Sequence, residues 1–87
     1  MAARPTSKWL VFKRETSDAA RYTTAKYSVT NKDQGAVLGI IKWFGAFRQY
    51  SFYPSDNCIF EKTCLRDIAN FCEWLTTEHK AGNKKPD

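Results

Sequence analysis

The sequence predicts an α+β domain in which a four-stranded antiparallel meander is packed by one C-terminal helix, in the order ββββα. Three observations carry this: four short runs of strand-forming residues divided by turn-forming clusters, one long stretch of helical period near the C-terminus, and a chain of 87 residues. That length suffices for one core and not for two. Aromatic residues make up 15% of the chain, and since each buries about 150–250 Å² they let so short a chain build a core without metal or disulfides.

The first strand is expected at Trp9-Leu10-Val11-Phe12, an apolar run bounded by Lys8 and by Lys13-Arg14. Residues 15–21 supply a polar connection. In Ala25–Thr30 apolar and polar residues alternate, so Ala25, Tyr27 and Val29 face a core while Lys26, Ser28 and Thr30 face water. Asn31-Lys32-Asp33-Gln34-Gly35 is a turn by composition, and Ala36–Trp43 resumes as a third strand. Gly45-Ala46 reads as a hairpin loop, with Gly45 taking the positive φ of a type II′ turn. Arg48–Tyr53 forms the fourth strand, stopped by Pro54. Pairing Trp43 with Arg48 across that loop puts Val37, Ile41, Trp43, Tyr50 and Phe52 on one face, with Arg48 at its edge. Leu38, Ile40, Lys42, Phe44, Phe47, Gln49, Ser51 and Tyr53 take the other.

Leu65, Ile68, Ala69, Cys72 and Leu75 recur at helical spacing, and Phe71 and Trp74 widen their stripe. A helix from Lys62 to His79 follows, with Glu61 as N-cap, Phe60 and Leu65 as a hydrophobic staple, and Gly82 as a stop. Arg66, Asp67, Asn70, Glu73 and Glu78 form its solvated side. Residues 1–7 read as a flexible leader, 8–79 as one domain and 80–87 as a flexible tail.

The net charge is +5, and its placement says more than its size. Residues 1–57 hold nine Lys/Arg against four acidic residues, whereas from Cys58 onward five oppose five. The excess therefore sits on the strand-forming part, where it attracts phosphate backbones or acidic proteins. No apolar run reaches the roughly 20 residues of a membrane span and Met1–Pro5 lacks the apolar stretch of a secretory signal, so a cytoplasmic protein with no membrane partner is expected. Cys58, Cys64 and Cys72, at spacings of six and eight, do not resemble a zinc site and read as reduced thiols, two of them packing the helix.

Nothing in the sequence offers a nucleophile beside a base, a phosphate-binding glycine loop or a set of metal ligands. A non-enzymatic protein without cofactor is expected, with His79 serving the helix C-terminus. The dense stretch is Lys42–Tyr53, which holds six aromatic residues with cations between them. Rings on a basic sheet stack on unpaired bases for about 1–3 kcal/mol each while Lys and Arg neutralise phosphates; equally, such rings fill a small core.

Gly39-Ile40-Ile41-Lys42-Trp43-Phe44 followed by Arg48-Gln49-Tyr50-Ser51-Phe52 resembles the first hairpin of cold-shock domains. That resemblance implies nucleic-acid contacts by Lys42, Trp43, Phe44, Tyr50 and Phe52, with Arg48 in a basic position. Gln49 and Ser51 stand where the cold-shock pattern has glycine. The order of four strands and a helix is similar to PUR-type single-strand-binding modules, which pair as dimers. Leu38-Gly39 through Lys42-Trp43-Phe44, Arg48-Gln49-Tyr50, Phe52 and Pro54, with Cys64-Leu65 and Ile68, resembles small uncharacterised proteins of phages and prophages, which implies no activity.

At the hairpin, alternation and resemblance point opposite ways. Alternation sends Trp43, Tyr50 and Phe52 to the helix and leaves Lys42, Phe44, Gln49 and Tyr53 outside; the cold-shock resemblance reverses this. The functional expectation is a module for single-stranded DNA or RNA working through Lys42, Trp43, Phe44, Arg48, Tyr50 and Phe52. The alternatives are a phage-type protein that binds and modulates a host protein by the same hairpin, and a homodimer paired through its aromatic face.

Overall fold

A computed structural model of the chain describes residues 4–15 and 25–81. The strands are β1 (Leu10–Glu15), β2 (Lys26–Asn31), β3 (Val37–Phe44) and β4 (Gln49–Pro54), followed by the helix α1 (Lys62–Lys80). They form one antiparallel sheet in the order β1-β2-β3-β4, and α1 lies across one face. This is the predicted ββββα architecture, with strand ends displaced by about a residue or more. Much of the expected polar connection after β1, like Gly82 and most of the expected tail, lies outside the described residues.

Alternation decides which side of each strand meets α1. Leu10 and Phe12 on β1, Ala25, Tyr27 and Val29 along β2, Ile41 on β3 and Tyr50 on β4 are all buried, together with Ile68, Phe71, Trp74 and Leu75 of the helix. Phe71 sits at the centre: its ring stacks on Phe12 at 4.2 Å and 8°, and meets Tyr27 edge-on at 5.1 Å. Fully burying such a side chain stabilises the fold by about 1.5–3 kcal/mol.

That central position turns the helix from the expected orientation. Leu65 is half exposed, Ala69 is exposed, and Glu78, expected among the solvated residues, is buried. Glu78 follows Phe71, Trp74 and Leu75 at i+7, i+4 and i+3, so it shares their side of the helix. Glu61 is the N-cap as predicted, its Oε1 accepting the Cys64 N–H at 2.6 Å. Phe60 packs edge-on against Phe52 at 5.3 Å, so its partner is a strand residue where Leu65 was expected.

Two departures lie in β3. Its hairpin with β4 pairs Phe44 with Gln49 and Trp43 with Tyr50, so the loop has four residues instead of two. The predicted register is off by two positions, and because side chains alternate with period two, every face assignment on β4 survives the error. Gly45 is not in the left-handed region; Arg48 is, at φ 54°. At the other end, Val29 pairs with Gly39 but Thr30 with Val37, leaving Leu38 as an extra residue. This bulge reverses the parity: Leu38 packs on the core and Val37, predicted to face inward, is 54% exposed.

Side chains close part of both sheet edges. On β1, Ser7 Oγ accepts the Leu10 N–H at 3.1 Å, and the Arg4 guanidinium donates to the Phe12 carbonyl while lying 5.2 Å from the Phe71 ring. Ser7 also donates to Asp67 Oδ2 of α1 at 2.6 Å. Residues 4–7, expected to stand outside the fold, thus lie against it. On β4, Thr76 Oγ1 accepts the Tyr50 N–H at 2.9 Å and Pro54 has no N–H to offer. Such devices discourage unwanted strand pairing.

Candidate nucleic-acid interface

Because α1 covers one face of the sheet, the six residues expected to form the site fall into two groups. Tyr50 is buried, and Trp43 and Phe52 are half-buried against the core. Trp43 meets Tyr50 edge-on at 5.6 Å and the His79 ring at 4.4 Å, so the last turn of the helix covers both. Burial raises the Tyr50 hydroxyl pKa, offset in part by the Ala25 backbone and the Arg14 charge. While α1 is in place the Tyr50 ring is closed to a base, and Trp43 and Phe52 expose only part of theirs. The placement that the cold-shock resemblance implied for Trp43, Tyr50 and Phe52 is therefore corrected in favour of alternation, which assigned the greasier side to the helix.

Lys42 and Phe44 occupy the other side, and Arg48 stands exposed in the hairpin loop. Successive outward positions are Ile40, Lys42 and Phe44 on β3, facing Tyr53, Ser51 and Gln49 on β4. Phe44 stands perpendicular to two rings, Phe47 at 4.8 Å and Tyr53 at 6.3 Å. Tyr53 reaches Phe44 across the Lys42–Ser51 pair, where Ser51 takes little room. Lys42 Nζ sits 4.5 Å from the Tyr53 ring centroid, a cation–π contact. Phe47 is 66% exposed at the loop, beside the exposed Arg48.

Phe47, Phe44 and Tyr53 thus form a continuous strip of rings that runs from the loop onto the outward face, with Lys42 over Tyr53 and Arg48 next to Phe47 in the chain. Phe47 and Tyr53 were absent from the expected site although alternation had placed both outward; that period was the signal that would have included them. The same face continues over β2 and β1, where Val11, Lys13 and Glu15 lie opposite Thr30, Ser28 and Lys26. Glu15 is its one acidic side chain among the described strand residues.

Along the edge between β4 and α1 lies a groove of ≈ 550 Å³, lined by Phe52, Leu65, Ile68, Cys72 and Thr76 among others, and Phe47 borders both this groove and the strip. Among the described residues no three His, Cys, Asp or Glu gather to hold a metal ion, and the three cysteines are unpaired. No helix of the described residues is long and apolar enough to cross a membrane.

No family model matches the chain, and no solved structure does. A curated protein of Acholeplasma phage L2, named only as an uncharacterised 9.3 kDa protein, is 35% identical over 57 residues, covering 66% of this chain and 73% of that protein. Identity at that level over most of both chains marks common descent, and the chain belongs to the family of small phage proteins that the 9.3 kDa protein represents.

Proposed function

We propose that this protein binds single-stranded nucleic acid on the outward face of the β3–β4 hairpin. The observation that carries the reading is the strip Phe47–Phe44–Tyr53, set on the sheet face that α1 leaves uncovered and flanked by Lys42 and Arg48. Unpaired bases stack on such rings whatever their sequence, and the neighbouring cations neutralise phosphates. Duplex bases are already stacked and gain nothing from it. The charge also weighs against a second copy seated there, since each copy would bring Lys13 and Lys42 to the shared face.

The test is a titration of fluorescein-labelled oligonucleotides, single- and double-stranded, at low and moderate salt. Tighter, salt-sensitive binding of the single strand supports the proposal; absence of binding at micromolar protein sinks it. A second reading, binding of a host protein, is favoured by the apolar groove between β4 and α1. Its mark is capture of a host protein that survives nuclease, is lost on Leu65→Glu and is kept on Lys42→Ala.

A further inference from the structure

We infer that this protein forms a two-fold dimer in which the groove between β4 and α1 of one copy receives α1 of a second copy, the two helices running antiparallel. The inference goes beyond the proposed nucleic-acid reading and does not rest on it, because the groove lies at the edge of the sheet and not on its outward face. Along α1, Leu65, Ala69, Cys72 and Thr76 follow one another at spacings of four, three and four, the repeat of a helix–helix seam, and all four line the groove. Leu65 is half exposed and Ala69 is exposed, so the sheet of their own chain leaves this stripe uncovered. Phe52 adds an apolar wall from β4. The backbone of β4 offers little there, since Thr76 Oγ1 accepts the Tyr50 N–H and Pro54 has none. An occupant is therefore held by side chains and not by extension of the sheet.

Charge selects that occupant. Arg66 and Glu73 are both exposed, each following a seam residue by one position, so they share the outer flank of the stripe. They stand seven residues apart, about 10.5 Å along the axis, too far to pair with each other. Neither has an opposite charge one turn away on its own helix: Arg66 has Lys62, Thr63, Ala69 and Asn70 at those positions, and Glu73 has Ala69, Asn70, Thr76 and Thr77. A second α1 laid antiparallel about a two-fold axis near Asn70 supplies the missing partners. Leu65 then lies beside the other copy's Thr76 and Ala69 beside its Cys72, while Arg66 of each copy meets Glu73 of the other. A parallel pair would set Arg66 on Arg66 and Glu73 on Glu73, so the charges also fix the direction. A host protein could fill the apolar groove, but it has no general reason to carry the same two charges in reverse order; a second copy does so by symmetry.

The experiment is sedimentation equilibrium of the full chain from about 1 µM to 1 mM, a range that brackets the micromolar dissociation constant expected of so short a seam. Circular dichroism confirms that each variant is folded. The mass is expected to rise from 10.0 kDa to twice that value. Leu65→Glu is expected to weaken the dimer about ten-fold or more. Arg66→Glu and Glu73→Arg each set like charges together twice by symmetry, and each is expected to weaken it about ten-fold. The double reversal, Arg66→Glu with Glu73→Arg, is expected to restore the original dissociation constant. A chain that stays at 10.0 kDa throughout overturns the dimer while leaving the proposed function as it stands. A dimer indifferent to Leu65→Glu is built on another face, and a double reversal as weak as the single ones excludes the antiparallel pair of helices; either result overturns the inference.

Discussion

The Phe52 ring occupies the space that a side chain at Gly39 would need. A β-carbon built on Gly39 would stand 2.5 Å from Phe52 Cε1 and Cζ and 2.6 Å from the Tyr53 carbonyl oxygen. The two residues sit on neighbouring strands, Gly39 opposite Pro54 and Phe52 opposite Ile41, so the ring lies diagonally over the bare backbone of β3. Phe60 closes on the same ring from the segment before α1.

Gly39→Ala is therefore expected to destabilise the fold by about 1–3 kcal/mol, since an added methyl in a packed site forces side chains off their rotamers or shifts the backbone. Urea unfolding checks this as a lower midpoint at unchanged slope. A midpoint equal to that of the unsubstituted protein would mean that Phe52 moves aside at no cost.

Gly39 illustrates what a sequence conceals. Its place in a strand was legible, but the ring that forbids a side chain there comes from the next strand. Other features were legible because they depend on neighbours along the chain. The alternation of β2 and β4 and the cap at Glu61 follow from spacing alone, and the two-residue slip of the hairpin was harmless to the faces for the same reason. The turn of α1 was less readable. Apolar residues occupy positions 64, 65, 68, 69, 71, 72, 74 and 75, an arc too broad to fix a centre. Stacking of Phe71 on Phe12 makes the choice, at the opposite end of the chain, and buries Glu78 while exposing Ala69. The cue to the bulge at Leu38 was the isolated Gly39 beside it, and strict alternation carried through that glycine placed Val37 on the wrong face.

The two sides of the hairpin should separate in mutagenesis. Phe47→Ala and Tyr53→Ala are each expected to reduce single-strand affinity by about 1–3 kcal/mol, or roughly 5- to 150-fold, with little effect on stability. Tyr50→Ala is expected to behave oppositely, lowering stability by roughly 3 kcal/mol or more because it empties a buried site. Affinity and unfolding midpoints measured on the same variants check the division. Loss of affinity in a Tyr50→Phe protein of unchanged stability would contradict it.

Acid sensitivity of the helix start follows from Glu61. The Cys64 and Thr63 backbone N–H groups hold its carboxyl below the ordinary value of 4.5. A carboxyl whose folded-state pKa is depressed adds stability that is complete above the unfolded-state value and is lost as pH falls through the folded-state value. Below about pH 4.5, Glu61→Ala should therefore show a weaker loss of stability with falling pH than the original chain. Unfolding midpoints between neutral and acid pH provide the comparison, and parallel curves would remove Glu61 from the acid response.

Cys72 should be chemically quiet in the folded protein. Burial pushes its thiol up to about 11, so at pH 8 only on the order of one molecule in a thousand carries the reactive thiolate. Mass spectrometry after iodoacetamide at that pH is expected to find Cys72 unmodified in the native protein and alkylated in urea. Rapid native labelling would indicate that α1 opens readily from β4.

Arg48 sets stability against function. It holds φ 54° in the hairpin loop, the left-handed region that costs a residue with a β-carbon about 1–2 kcal/mol. Its N–H donates to the Gly45 carbonyl at 3.2 Å, and the turn depends on that conformation. Arg48→Gly relieves the strain but frees the unfolded chain, and the two effects leave a net stabilisation of up to about 1 kcal/mol. The same change removes a cation beside Phe47, so single-strand affinity should fall and its salt slope should become shallower by about 0.7. Arg48→Lys keeps the charge and the strain together, and should retain both the original stability and the original slope. A variant series in which glycine raises the unfolding midpoint while only lysine preserves binding is the expected pattern. Unchanged binding by the glycine variant would leave the strained cation with no part in recognition.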